Sequence, residues 1–187
     1  MDFYEVVKKR TSIKKFKNTP ISEPKLDSII NAAMMSPSWK NKTSCSFIIV
    51  DDADKKNEIA EAIKNGSTEA ADSIREAPMA VVIVGEPDDS GNVDGKQMYL
   101  VDSAIAMEHF ILAATNEGYG TCWIASLDQK KIKTSLRIPE KYAVVAVTPL
   151  GEFGETKPHN EPKDIREHVF KNYWTVPYSE KKHLVMQ

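Results

Sequence analysis

Cysteine is scarce in this chain. Cys45 and Cys122 are the only two among 187 residues, and they lie far apart. Neither belongs to a C-x-x-C pair or to a zinc-type spacing, so neither a disulfide framework nor a zinc module is read, and two free thiols in a reducing compartment are expected. Charge of one sign is also lacking. With 25 Lys and Arg against 27 Asp and Glu the net charge is −2, which argues against a dominant nucleic-acid footprint. No apolar run approaches the ~20 residues that span a bilayer. The start, Met1-Asp2-Phe3-Tyr4-Glu5, lacks the basic and apolar regions of a signal peptide, and a cytoplasmic location is expected. The sequons at Asn41-Lys42-Thr43 and Asn65-Gly66-Ser67 then read as chance.

Several catalytic signatures are missing too. There is no G-x-G-x-x-G, no P-loop and no G-x-S-x-G elbow. His109, His159, His168 and His183 show no H-E-x-x-H spacing, and His109 beside Glu108 reads as a core-edge residue. The acidic run Asp88–Asp94 has Val93 where a calcium loop needs Gly and Tyr99 where it needs Glu, so it reads as a solvated loop.

The remaining pattern is that of a globular protein with one domain over residues 1–187: 41% of residues are apolar, enough to form a core without staples. Asp2 and Glu5 have capping-box spacing before a helix to residue 10, with Phe3, Val6 and Val7 on one face. Ser22 opens a second helix, with Leu26, Ile29, Ile30, Ala33 and Met34 inward, ended by Pro37. Asp54 starts another, and a short helix spans about 69–76. The longest runs from about Lys96 to Glu117, with Leu100, Ala104, Met107, Ile111 and Leu112 inward. Asp128 caps a last short one. Strands are expected at 47–50, 79–84, 122–124 and 142–150, and a surface loop at 85–95. Short apolar strands separated by helices indicate an α/β or α+β layered fold with the sheet covered on both faces. The tail from Phe170 carries Tyr173, Trp174, Val176, Pro177, Tyr178, Leu184 and Val185. So much apolar surface needs a cover, either a second subunit or the chain's own domain.

Three segments carry candidate chemistry. In Arg10-Thr11-Ser12-Ile13-Lys14-Lys15-Phe16, Arg10 offers a forked donor set suited to a phosphate, Thr11 and Ser12 offer hydroxyls, and Lys14 adds a point charge. Read alone, this run is a solvated basic face. Ser36-Pro37-Ser38-Trp39-Lys40-Asn41 is a polar loop between a helix and a strand. In Gly118-Tyr119-Gly120-Thr121-Cys122-Trp123-Ile124-Ala125 the glycines allow backbone to approach a ligand closely.

The order and spacing of these segments resemble the FMN-dependent nitroreductase family. The first resembles that family's R-x-S-x-[RK]-x-F signature, the second its [AS]-P-S-x-x-N loop, and the third its G-[LIY]-G-[TS]-x-W-[IL] run. Ile138-Pro139-Glu140-Lys141-Tyr142 through Leu150-Gly151 resembles its I-P-x-x-Y strand ending in L-G. The resemblance covers about residues 2–170. It implies an α+β fold with a central, mainly antiparallel sheet flanked by helices, and a homodimer with FMN at the interface.

The resemblance also implies roles. Arg10 and Ser12, with Thr11 beside them, would hold the FMN phosphate. Lys14 would sit near the pyrimidine edge of the flavin. Pro37, Ser38, Trp39 and Asn41 would reach the flavin of the other subunit. Ile124 and Ala125 would pass backbone along the ring, the Ala125 amide donating to N5. Lys163 stands where the family has a late arginine on the phosphate, and Ala125 where glycine is common. Asn65 is a further candidate in a stretch, 51–77, that aligns poorly. The implied reaction takes hydride from NADH or NADPH and passes it to a nitroaromatic, quinone or flavin acceptor. Other readings of the same residues are an FMN-dependent dehydrogenase or dehalogenase, a non-catalytic flavin-binding protein, and a structural domain.

Overall fold

The computed structural model describes residues 1–158 and 161–184. Helix α1 (Phe3–Lys9) begins with the expected capping box: Asp2 accepts from the Glu5 amide and Glu5 reaches back. Helix α2 (Glu23–Met34) follows, then a single 3-10 turn at Trp39–Asn41. Strand β1 (Cys45–Val50) leads into α3 (Ala53–Glu61), whose cap is Asp52, not Asp54, accepting from the Lys55 amide. Helix α4 (Glu69–Glu76) and strand β2 (Met79–Gly85) come next. The expected surface loop holds more order than its composition suggests: a turn of helix, α5 (Pro87–Ser90), and a two-residue hairpin, β3 (Asn92–Val93) with β4 (Lys96–Gln97).

Helix α6 (Met98–Asn116) is the longest element, about 28 Å at 1.5 Å per residue. By length and composition alone it is apolar enough to cross a membrane. Here one face of it packs into the core: Ser103, Ala106, Met107, Phe110 and Ala114 are fully or nearly fully buried, and Phe110 stacks on Phe47 with ring centroids 5.7 Å apart. Met107 and Ile111 point inward as expected. Leu100 and Ala104 do not; they are exposed beside Val101, and Asp102 takes an inward place. Gly118, at φ 88°, ends the helix in the left-handed conformation that glycine adopts without strain.

Strand β5 is Tyr119–Thr121, three residues before the expected position, because the chain pairs as soon as Gly118 has turned it. Helix α7 (Gln129–Leu136) is capped by Asp128, as expected, and β6 (Ala143–Glu152) runs past Gly151. A short helix, α8 (Ile165–His168), follows.

The sheet order is β1-β2-β6-β5 with every neighbouring pair antiparallel. Alternation along β2 sends Ala80, Val82 and Val84 to one face and Val81 and Ile83 to the other. The first face packs under α3, α4 and α7, the second under α2 and α6, so both faces are covered. The sheet's outer edge at β5 is extended by the segment after α1. Ser12 pairs with Thr121 in parallel, and Phe16 with Phe153 antiparallel. The described hydrogen bonds of residues 161–184 stay within that segment, where Lys171 and Tyr178 amides pair with Val176 and Val169 carbonyls. Trp174, 82% exposed, lies against Phe170.

Candidate functional site

The Arg10–Phe16 segment is fixed by its backbone. The Ile13 amide donates to the Thr121 carbonyl at 2.9 Å, the Lys17 amide to Glu152 at 3.1 Å, and the Gly154 amide to Lys15 at 2.8 Å. Two glycines make the docking possible. A Cβ on Gly120 would meet the Ile13 side chain at 2.9 Å, and one on Gly154 would meet the Lys15 backbone at 2.8 Å. Ile13, 1% exposed, is the anchor. In an extended chain alternate residues share a side. Arg10, Ser12 and Lys14 accordingly share a side, the one toward Cys122. Burial pushes the Cys122 thiol up, and these neighbours, with Lys157, offset part of that rise. Thr11 falls on the other side. It lines a separate hollow of about 270 Å³ with Lys9, Ile13, Phe153, Glu155, Thr156 and Lys157, so the structure parts Thr11 from the two residues it was grouped with.

Residues the sequence did not single out complete this wall. The Lys157 ammonium donates to the Ser12 carbonyl at 3.2 Å. Glu155 accepts from the Lys14 amide at 2.7 Å and the Lys15 amide at 3.3 Å, and pairs with Lys157 at 2.9 Å. Burial works against the Glu155 charge, but these donors hold its carboxyl below the ordinary range. Lys163 is exposed, and no hydrogen bond or ion pair among the described residues joins it to the segment. Among the described residues, the cation that bonds Ser12 is Lys157. Arg10 has no ion pair among the described residues, which leaves its guanidinium available to an anion.

The second wall is the stretch after β5. Ile124, 3% exposed, exchanges both backbone hydrogen bonds with Val147, each at 2.9 Å. Its amide is consumed by the sheet and cannot also serve a ligand. Ala125 is exposed and its amide has no partner among the described residues. Just beyond, the chain is clipped to the α3–α4 connection. The Lys64 amide donates to the Ser126 carbonyl at 2.8 Å, the Ser126 hydroxyl to the Lys64 carbonyl at 3.0 Å, and the Asp128 amide to Ala62 at 2.7 Å. Asn65 is thereby placed next to the Ala125 stretch, which the poorly aligned sequence there could not reveal. From the first position of α4, which follows this connection, Glu69 reaches Lys14: the ammonium donates to its carboxylate at 2.6 Å. That hydrogen bond is the main reason the Lys14 pKa lies above its ordinary value and the Glu69 pKa below.

The Ser36–Asn41 loop lies elsewhere, over the first turns of α6. Asp102, 2% exposed, accepts from the Trp39 amide at 2.7 Å and from the Ser44 hydroxyl at 2.8 Å. Ser38 accepts from the Thr43 amide at 2.9 Å. These contacts hold Lys40, Asn41 and Thr43 at φ 51°, 56° and 52°, a conformation non-glycine residues rarely adopt. No hydrogen bond or ion pair among the described residues connects this loop to Arg10–Lys14.

The arrangement thus offers an anion wall, a free backbone donor and a strained polar loop on separate supports, with no acid–base dyad and no group of metal-ligating side chains among the described residues. Comparison with known proteins gives the class. The Nitroreductase family model matches residues 7–152, and the chain belongs to the nitroreductase family. A nitroreductase family protein from Clostridium novyi NT is 47% identical, with 98% of this chain and 100% of that one aligned and a TM-score of 0.82. An FMN-dependent nitroreductase from Clostridium difficile R20291 is 29% identical over 90% of this chain and 98% of its own, with a TM-score of 0.79. A Methanothermobacter thermautotrophicus protein, provisionally named NADH dehydrogenase/NAD(P)H nitroreductase, is 29% identical over 155 residues, 81% of this chain and 77% of that protein.

Proposed function

We propose that this protein is an FMN-dependent oxidoreductase that takes hydride from NADH or NADPH and delivers it to nitroaromatic, quinone or flavin acceptors. Support comes from the family, from the FMN-dependent relative, and above all from one local observation. Arg10 and Ser12, with Lys157 at the Ser12 carbonyl, make a cationic, hydroxyl-bearing wall, and the connection clipped to Ser126, next to the free Ala125 amide, leads into the helix whose Glu69 pairs with Lys14. That donor set fits a phosphate at one end and a polar ring edge at the other.

The flavin, when bound, supplies the hydride chemistry. The protein's part is to bind and orient. Arg10 and Ser12 hold the phosphate, with Thr11 acting only through the backbone they share. Lys14 faces the pyrimidine edge, and the Ala125 amide donates to N5. Ile124 positions Ala125 through its bonds to Val147. Lys157 assumes the late phosphate role first expected of Lys163.

Pro37, Ser38, Trp39 and Asn41 serve the flavin of a second copy. Two features favour a homodimer: the loop's separation from Arg10–Lys14, and the exposed apolar side chains of Leu100 and Val101 on α6, Phe3 on α1 and Met35 at the end of α2. The aromatic tail beyond residue 170 is proposed to cover that partner. A cytoplasmic location accords with the two free cysteines.

The test is an absorbance spectrum of the purified protein after FMN addition and desalting, followed by NADH or NADPH under nitrogen. Flavin bands that bleach on addition of nucleotide are expected. A protein that retains no FMN would overturn the proposal, and bound FMN that neither nucleotide bleaches would reduce it to flavin binding.

A further inference from the structure

Lys14 does not stand alone at the ring end of the site. Its ammonium is 2.6 Å from the Glu69 carboxylate, contributed across 55 residues by the first position of α4. The pair is open to water, with side-chain exposures of 32% and 64%. Exposed pairs of this kind add little to folding. What the pair does change is the field. A lone ammonium is a monopole, whereas an ammonium with a carboxylate in contact is a dipole, whose potential falls off faster with distance.

We infer that Glu69 is a counter-ion that sets the redox poise of the site by cancelling part of the Lys14 charge at the flavin edge. The inference rests on the flavin reading above and deepens it. A bare cation beside the pyrimidine edge favours the reduced, anionic ring. Glu69 withdraws part of that preference and keeps the reduced cofactor a stronger donor toward acceptors. The other charged groups around Lys14 do not replace Glu69. The Glu155 carboxylate is engaged by the Lys14 and Lys15 amides and by Lys157, and Lys157 is directed to the Ser12 carbonyl. The clip between Lys64 and Ser126 holds the start of the α3–α4 connection against the Ala125 stretch, so the counter-ion is delivered by an element anchored at the site itself.

The experiment compares wild type, Glu69→Gln, Glu69→Asp, Lys14→Met and the double variant Glu69→Gln/Lys14→Met, each loaded with FMN. Midpoint potentials are read by reductive titration against a reference dye, FMN affinity by fluorescence quenching, and unfolding by thermal melt of the apoprotein. Glu69→Gln should favour the reduced flavin by about threefold to tenfold, where tenfold is about 30 mV for a two-electron couple. Glu69→Asp, which keeps the charge, should stay within about twofold of wild type. In the Lys14→Met background the effect of Glu69→Gln should shrink below about twofold, since there is then no ammonium to cancel. The apoprotein melt should move by no more than about 2 °C.

FMN-loaded Glu69→Gln with an unchanged potential would overturn the inference and leave the flavin reading intact. So would an equal shift with and without Lys14, or a lowered melt with an unmoved potential. Wild type that binds no FMN would remove both.

Discussion

The Arg10–Phe16 segment and the Ser36–Thr43 loop both carry candidate ligand groups, yet they are held by opposite means. The first is an extended strip fixed by backbone bonds to Thr121, Glu152 and Gly154, with Ile13 buried beneath it. Its ion pairs, Lys14 with Glu69 and Lys15 with Glu76, are exposed and add little to its placement, and Arg10, with no ion pair among the described residues, is available for binding. The second has three non-glycine residues at positive φ and is held by one buried carboxylate from another element, Asp102. Binding groups on the strip can be changed without disturbing its fold. Those on the loop depend on a residue that touches no ligand.

That contrast can be broken at its weakest point. Asp102→Ala removes the acceptor for both the Trp39 amide and the Ser44 hydroxyl and should cost about 2–4 kcal/mol, read by urea denaturation. Asp102→Asn keeps one acceptor oxygen and should recover at least half of that loss. If Ala and Asn behave alike, the hydrogen bonds do not hold the loop. Next in size is Gly120→Ala, whose methyl would enter the Ile13 side chain. Overpacking of this kind costs about 1–3 kcal/mol, and here it should also weaken FMN binding by lifting the strip. Unchanged stability would show that the strip is not tightly docked.

Arg10→Ala should leave the melt within about 2 °C and weaken FMN about tenfold or more, the size of a lost charge-assisted hydrogen bond; titration of apoprotein with FMN measures it. The smallest effect separates two lysines. Lys157→Ala should weaken FMN about threefold to fivefold, and Lys163→Ala less than about twofold, as expected of a point charge against an exposed one. The reverse ranking would return the late phosphate role to Lys163.

Much of this was legible from local pattern. The capping box of Asp2 and Glu5, the cap at Asp128 and the apolar strands near 79–84 and 142–150 are set by neighbouring residues, and they stand in the structure, the last strand running on through Gly151 to Glu152. The basic strip was legible as a motif. What supports it was not. Glu155, Glu69 and Asp102 act across 141, 55 and 58 residues, distances over which periodicity carries no information.

The inward face of α6 is hidden from the sequence for a different reason. Leu100 and Ala104 are as apolar as the residues that do face the core, so the pattern alone could not choose between two apolar faces of one helix. β5 begins earlier than its sequence suggests because the glycines around Tyr119 have helix-stopping character and conceal a strand that begins among them.

The strip's bonds to Glu152, Gly154 and Glu155 join the start of the chain to a point some 140 residues later. On the ribosome the amino terminus emerges first, so residues 10–16 must wait for β5 to gain their pairing with Thr121 and for β6 and the turn after it to gain the rest. Helix layers and the β1–β2 pair can assemble beforehand from nearer partners. The full clasp of the strip is then among the last features the nascent protein gains, and a chain cut short before Gly154 would carry the whole Arg10–Lys14 sequence without the bonds that shape it.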